Sequence, residues 1–183
     1  MQILGIAGSL REGSYNRGLL AAAAELAPEG MEIRIWDRMG EVAPYDADLD
    51  TDERRPEPVR DLKERISLAN GVLVATPEYN YSFPGLLKNA IDWASRPGYH
   101  SVLRGKPVAL IGASASMTGT ARAQTHLREV FYATMSHVFP HAGVAVAQAA
   151  SKYQDGRLTD EATRKFLKEF LKEFQEYARS CAG

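Results

Sequence analysis

A layered α/β fold built on a parallel sheet is what this sequence predicts, from three observations. Short apolar runs, mostly of β-branched or small residues, recur five times along the chain. Segments with helical spacing of apolar positions lie between them. Most of the runs are also apolar almost throughout rather than alternating, which is the pattern of strands covered on both faces. The strand candidates are QILGIA (Gln2–Ala7), MEIRIW (Met31–Trp36), GVLVAT (Gly71–Thr76), KPVALIGAS (Lys106–Ser114) and AGVAVAQ (Ala142–Gln148), each bounded by Gly, Pro, Ser or Asn. Alternation of this kind predicts a three-layer sandwich around a five-stranded parallel sheet, with right-handed crossovers limiting the topologies.

The helices follow in order. Leu19, Leu20, Ala23 and Leu26 form the first apolar stripe, and Val59, Leu62, Ile66 and Ala69 the second. Leu86, Leu87, Ala90, Ile91 and Ala94 form the third. The fourth runs through Leu127, Val130, Phe131, Thr134, Met135 and Val138. A last helix from Thr159 puts Phe166, Leu167, Phe170, Leu171, Phe174 and Tyr177 on one face. Its Asp160 and Glu161 sit where the helix dipole favours acids, and Arg179 where it favours bases. That aromatic stripe reads as a core-facing or subunit-facing surface, not as a cofactor box.

A chain of 183 residues suits a single domain spanning 1–183, able to bury roughly 70% of its unfolded surface around one core. A formal net charge of -1 supplies no electrostatic reason to expect nucleic acid or an anionic membrane as partner. Cys181 is the only cysteine, so an intrachain disulfide is impossible and a reducing compartment is expected. Near the chain end it lacks the fixed electropositive setting of a reactive thiol. Neither an export signal nor an apolar span is evident, and the cytoplasm is the expected location.

Directly after the first strand candidate stands GSLREGSYN, Gly8–Asn16. In an open parallel sheet, ligands bind beyond the carboxyl ends of the strands, near the point where strand order reverses, and the first strand usually borders that point. Gly8 and Gly13 allow close backbone approach, Ser9 and Ser14 offer hydroxyls, and Asn16 suits the cap of the following helix. Unpaired N–H groups at a helix start favour an anion there. Gly8 and Gly13 have the spacing of a nucleoside-triphosphate loop, but Ser14 stands where that loop needs lysine and Tyr15 where it needs the magnesium-binding hydroxyl. Gly5-Ile6-Ala7-Gly8 also lacks the spacing of a bound-dinucleotide loop. A terminal phosphomonoester remains, with Arg11 as charge-assisted donor.

The third strand candidate leads into ATPEYNYSFPGLLKNAIDWASRP, Ala75–Pro97. Pro77, Glu78, Tyr79, Asn80 and Tyr81 would lie beside the first loop, where aromatics and an amide suit a flat heteroaromatic ligand. Pro84 suits the first turn of the next helix.

With these motifs the chain resembles the NADPH-dependent FMN reductase family, which includes chromate, quinone and azo-dye reductases of flavodoxin-like fold. GSLREGSYN resembles the family's phosphate loop, TPEYNYSFPGLLKNAIDW its flavin-ring loop, and IGASASMTGTAR (Ile111–Arg122) its third loop. The resemblance implies strand order 2-1-3-4-5 and a cofactor-binding set of Ser9, Leu10, Arg11, Ser14, Tyr15, Asn16, Pro77, Glu78, Tyr79, Asn80 and Ser114. Ser9, Arg11, Ser14 and Asn16 would hold the phosphate and Pro77 to Asn80 would line the ribityl chain and ring. Ser116 is an alternative to Ser114 in the third loop. The implied activity is hydride transfer from NADPH, or NADH, through FMN to a quinone, azo dye, metal oxyanion or free flavin, by a ping-pong mechanism. No catalytic side chain is required, because the flavin carries the chemistry. The implied assembly is a homodimer or homotetramer whose flavin pocket a neighbouring subunit completes. A flavodoxin-type electron carrier and a flavin-free regulatory or assembly module are the rival readings of the same fold.

Other motifs carry less. Tyr45–Glu57 spaces its aspartates like a calcium loop, but Thr51 replaces the required glycine and Pro56 precedes the glutamate, so it reads as a solvated loop that, by the resemblance, borders the substrate pocket. His137 and His141 are separated by Pro140 and have no third ligand, so no metal site is expected. Arg122 is left between a nicotinamide nucleotide phosphate and a partner subunit.

Overall fold

The computed structural model describes residues 1–181. Its elements are β1 (Gln2–Ala7), α1 (Tyr15–Glu25), β2 (Glu32–Trp36), α2 (Glu57–Leu68), β3 (Gly71–Ala75), α3 (Gly85–Ala94), β4 (Pro107–Ala113), α4 (Ala121–Ala133), β5 (His137–Val138), β6 (Val144–Val146), β7 (Tyr153–Gln154), β8 (Arg157–Leu158) and α5 (Glu161–Ser180). The main sheet runs β2-β1-β3-β4-β5, all neighbours parallel, with β6 also paired to β4. This is the predicted flavodoxin-like order.

Side-chain alternation along the strands divides the core into two layers. Ile3, Leu73, Ala109 and Ile111 face Leu20 of α1 and Leu167, Phe170 and Phe174 of α5. Leu4, Ile6, Val72, Val74, Val108 and Leu110 face Leu62 of α2, Leu87 and Ile91 of α3, and Leu127 and Phe131 of α4. Every residue of β3 and β4 is buried, the physical reason their sequences are apolar on both faces.

The fifth strand departs from expectation. Instead of one run over Ala142–Gln148, β5 pairs with Pro107 and Val108 at the start of β4, and β6 pairs with Ile111 to Ala113 at its end. Pro140, which has no N–H to donate to a ladder, lies in the interruption. Arg128 bridges the gap by donating to the carbonyls of His141 and Ala142.

Helix ends also differ in detail. The cap of α1 is Ser14, whose Oγ accepts from the backbone N–H of Asn16 (3.2 Å) and of Arg17 (3.5 Å), so Asn16 is not the cap. Pro84 is the residue immediately before α3. The fourth helix stops at Ala133: Met135 takes a left-handed φ of 62° and Val138 belongs to β5. In α5, Asp160 caps the helix through Thr163, whereas Phe166 is half exposed and lies off the buried stripe.

Candidate functional site

The site is built where β1 has β2 on one side and β3 on the other, so the loops after β1 and β3 border the crevice at the sheet's carboxyl edge. The backbone N–H of Gly8 donates to the Ala75 carbonyl (2.8 Å), fastening the first loop to the end of β3. A Cβ on Gly8 would stand 3.2 Å from Leu87 and 3.3 Å from Pro77, so this junction is packed as closely as glycine permits. The loop then turns on a bond from the Ser14 N–H to the Arg11 carbonyl. Ser9 and Ser14 are buried at its base, and Arg11 is exposed at its rim, 5.6 Å from the Tyr15 ring centroid. Among the described residues, the backbone N–H groups of Arg11, Gly13 and Tyr15 have no protein acceptor. Unpaired N–H groups beside the positive end of a helix are the chemistry that suits an anion.

Asn16 borders the same cavity and ties it to the third loop. Its Nδ2 donates to the Ala113 carbonyl (2.9 Å) and its Oδ1 accepts from the Ala113 N–H (2.8 Å). This two-bond strap fixes the start of α1 to the end of β4.

The second loop is held from behind. Glu78 turns its side chain, 8% exposed, toward α4: one carboxylate oxygen accepts from the backbone N–H groups of Arg122 (3.1 Å) and Ala123 (3.3 Å), and the other pairs with the Arg122 guanidinium (3.2 Å). Glu78 thus satisfies the first orphan donors of α4, and its negative charge complements the helix dipole. Arg122 also stacks over the Tyr81 ring at 4.2 Å. In the structure Arg122 thus makes an intramolecular pair while its side chain stays half exposed.

Between those anchors Tyr79 and Ser82 exchange two backbone bonds around Asn80 and Tyr81, whose φ values are 49° and 66°. This is a tight hairpin turn of the type that needs positive φ at both central residues. Asparagine tolerates that conformation; tyrosine adopts it at a cost of about 1–2 kcal/mol. The turn leaves Tyr79 and Tyr81 exposed.

The third loop closes the site. The Ser114 N–H donates to the Val146 carbonyl (2.9 Å), and Ser114 Oγ accepts from the Ser116 N–H (3.1 Å) and bonds Ser116 Oγ. Ser114 stands at the end of β4; Ser116 is outside the cavity wall and supports it.

Ser9, Arg11, Ser14, Tyr15, Asn16, Pro77, Glu78, Tyr79 and Ser114 come together around one cavity of about 200 Å³. Leu10 and Asn80 do not line it: Leu10 points into a neighbouring groove and Asn80 sits at the exposed tip of the turn. The donor set is hydroxyls, one guanidinium and free backbone N–H groups at one pole, with a proline and a tyrosine at the other. That set fits a phosphate and a flat ring held a few residues apart.

A family model described as NADPH-dependent FMN reductase matches residues 1–151. The chain belongs to that family. This reductase is 42% identical to an NAD(P)H-dependent FMN reductase of Pseudomonas aeruginosa, over all of this chain and 98% of the relative. It is 39% identical to a quinone reductase of Escherichia coli, over 97% of this chain and 95% of that one. Among solved structures, FerB, a flavoenzyme NAD(P)H:(acceptor) oxidoreductase from Paracoccus denitrificans, superposes with a TM-score of 0.87 at 36% identity, covering 98% of this chain and 97% of the other. The reductase is therefore an oxidoreductase that works with FMN and NAD(P)H. Among its described residues, no helix is long and apolar enough to cross a membrane.

The bond between Glu78 and Arg122 spans 44 positions, and no local sequence pattern encodes it.

Proposed function

We propose that this reductase passes a hydride from NAD(P)H to a quinone, with both substrates using the same open face of the site in turn. Bound FMN supplies the hydride-transfer chemistry. One observation carries the reading: the Glu78 lock fixes the ring loop from behind, so that Tyr79 and Tyr81 stand exposed at the mouth of a cavity whose far pole is the anion cradle. Ser9, Ser14, Arg11 and the open N–H groups hold the phosphate, and Arg11 supplies the charge-assisted bond. Pro77 and the Tyr79 backbone line the ring's edge. Glu78 borders the cavity while its carboxylate is bonded to the start of α4.

A single open face gives ping-pong kinetics, since the oxidised nucleotide must leave before the acceptor enters. Quinones suit that face because they are flat and mostly uncharged; azo dyes, metal oxyanions and free flavin are secondary acceptors. A second subunit closes the mouth in a homodimer or homotetramer, covering the exposed Tyr79 and Tyr81. The family relatives named NAD(P)H-dependent FMN reductase and quinone reductase support this reading.

The test is steady-state turnover of FMN-saturated protein with NADPH or NADH and a panel of acceptors. Parallel double-reciprocal lines with a benzoquinone are expected. Failure to oxidise either nucleotide with any quinone overturns the proposal, and flavin reduction only in the presence of an added reductase would place the protein among electron carriers.

A further inference from the structure

Residues 9 to 11 of the phosphate loop separate two cavities. Arg11 lines the one described above, Leu10 lines the other, and Ser9 borders both. The second is a groove of about 310 Å³ between α1 and the end of β2. Among its lining residues are Leu10 and Ile35, both exposed, and the buried Trp36 and Met39. Two charged side chains stand at its edge: Arg17 from the first turn of α1 and Asp37 immediately after β2. Both are exposed, and among the described residues neither has an ion-pair or hydrogen-bonding side-chain partner. The surrounding charges are otherwise committed: Arg38 bonds Glu41 and Glu57, and Arg34 bonds Glu32.

We propose that this groove is an adenylate subsite, so that the reductase accepts FAD as well as FMN. The inference rests on the phosphate loop holding the flavin's 5′-phosphate. Past that phosphate FMN ends, whereas FAD continues into a second phosphate, a ribose and an adenine. The groove opens at Ser9, on the far side of the phosphate pole from Pro77 and Tyr79. Arg17 provides the cation for the second phosphate. Asp37, at the carboxyl end of the strand next to β1, holds the position from which an acidic side chain accepts ribose hydroxyls in dinucleotide-binding sheets. Leu10 and Ile35, both exposed, offer an apolar slot for the purine. The position of Leu10 in this groove also accounts for its absence from the FMN cavity. NAD(P)H is the less suitable occupant, because its nicotinamide must lie on the flavin ring, whereas the groove adjoins the phosphate.

The experiment is fluorescence-quenching titration of the apo-reductase with riboflavin, FMN and FAD, repeated for Arg17→Ala and Asp37→Asn, with thermal melting to verify folding. FAD is expected to bind within about tenfold of FMN, and Arg17→Ala to weaken FAD about tenfold while leaving FMN unchanged. Asp37→Asn should weaken FAD alone by a smaller factor. If FMN itself fails to bind more tightly than riboflavin, the phosphate-loop reading fails. If FMN binds and FAD does not, or if both variants leave FAD affinity untouched, the adenylate subsite is wrong. A rise in the KM for NADPH in the variants, without a change in FAD affinity, would assign the groove to the nicotinamide nucleotide instead and overturn the FAD proposal.

Discussion

The Glu78 carboxylate accepts from the Arg122 backbone N–H and pairs with the Arg122 guanidinium, joining the loop after β3 to the start of α4 across 44 residues. The same guanidinium covers Tyr81, a bulky residue in a left-handed conformation. The strained turn is therefore held at both ends by one ion pair. Replacing Glu78 with alanine removes the cap of α4 and the partner of Arg122 together. FMN affinity should fall about tenfold and stability by about 1 kcal/mol. Glu78→Gln retains an acceptor oxygen for the helix N–H groups and should restore most of the stability. A titration by flavin fluorescence, run beside thermal melts, separates the two effects. Loss of stability in Glu78→Ala with unchanged FMN affinity would show that the lock does not position the ring loop.

Arg11 is the only guanidinium lining the cradle, and it has no ion-pair partner among the described residues. A charge-assisted bond to phosphate contributes about 1.5–3 kcal/mol, so Arg11→Ala should raise the FMN dissociation constant about 10- to 100-fold. Riboflavin, which lacks the phosphate, should bind the two proteins equally well. Equal losses for both flavins would mean that Arg11 acts on the ring or on folding instead.

Long-range contacts mark the boundary of what was legible before the structure. The first four strand positions follow from apolar periodicity, a local property, whereas the sheet order comes from the family resemblance. The hairpin β7–β8 was also encoded, as Asp155-Gly156 between short runs, and both residues take the positive φ such a turn needs. Its strands are only two residues long, too short for a period to show. By contrast, the direction in which Asn16 and Glu78 point depends on groups 97 and 44 positions away. Both are polar residues in a ligand loop, and residue type alone does not distinguish a ligand contact from a strap. The split of the last strand lies between these cases, since Pro140 is a local signal but the apolar spacing before it also suits a helix.

Asp61 should contribute to the acid sensitivity of the fold. Burial opposes ionisation of its carboxylate, yet the bonds from Trp36 Nε1 (2.7 Å) and Arg65 (2.7 Å) and the charges of Arg65 and Arg38 outweigh it, leaving the pKa below the ordinary aspartate value. A depressed folded-state pKa means that the unfolded chain binds the proton more readily. The stabilisation is therefore fully present above the unfolded pKa near 3.8 and disappears as pH falls through the lower folded value. Asp61→Asn should lower stability at neutral pH by about 1–3 kcal/mol, with the deficit shrinking toward pH 3. Denaturant unfolding at several pH values measures this, and a deficit independent of pH would show that Trp36 and Arg65 do not act through the charge.

The strap from Asn16 to Ala113 makes the phosphate loop and the third loop one mechanical unit. Both ends are buried, and the main chain of Ala113 has its N–H and carbonyl engaged by the same amide. Removing the amide leaves a donor and an acceptor in a dry environment, each costing about 1–3 kcal/mol. Asn16→Ala should therefore lose roughly 2–4 kcal/mol and lower the melting temperature by about 5–15 °C. Asn16→Asp keeps the shape and the acceptor for the Ala113 N–H but turns a second oxygen toward the Ala113 carbonyl. It should be no more stable than the alanine variant at neutral pH and should recover as the carboxyl is protonated, when it again has a donor for that carbonyl. An alanine variant that melts with the parent would show that water replaces the amide and that the two loops are held together by packing alone.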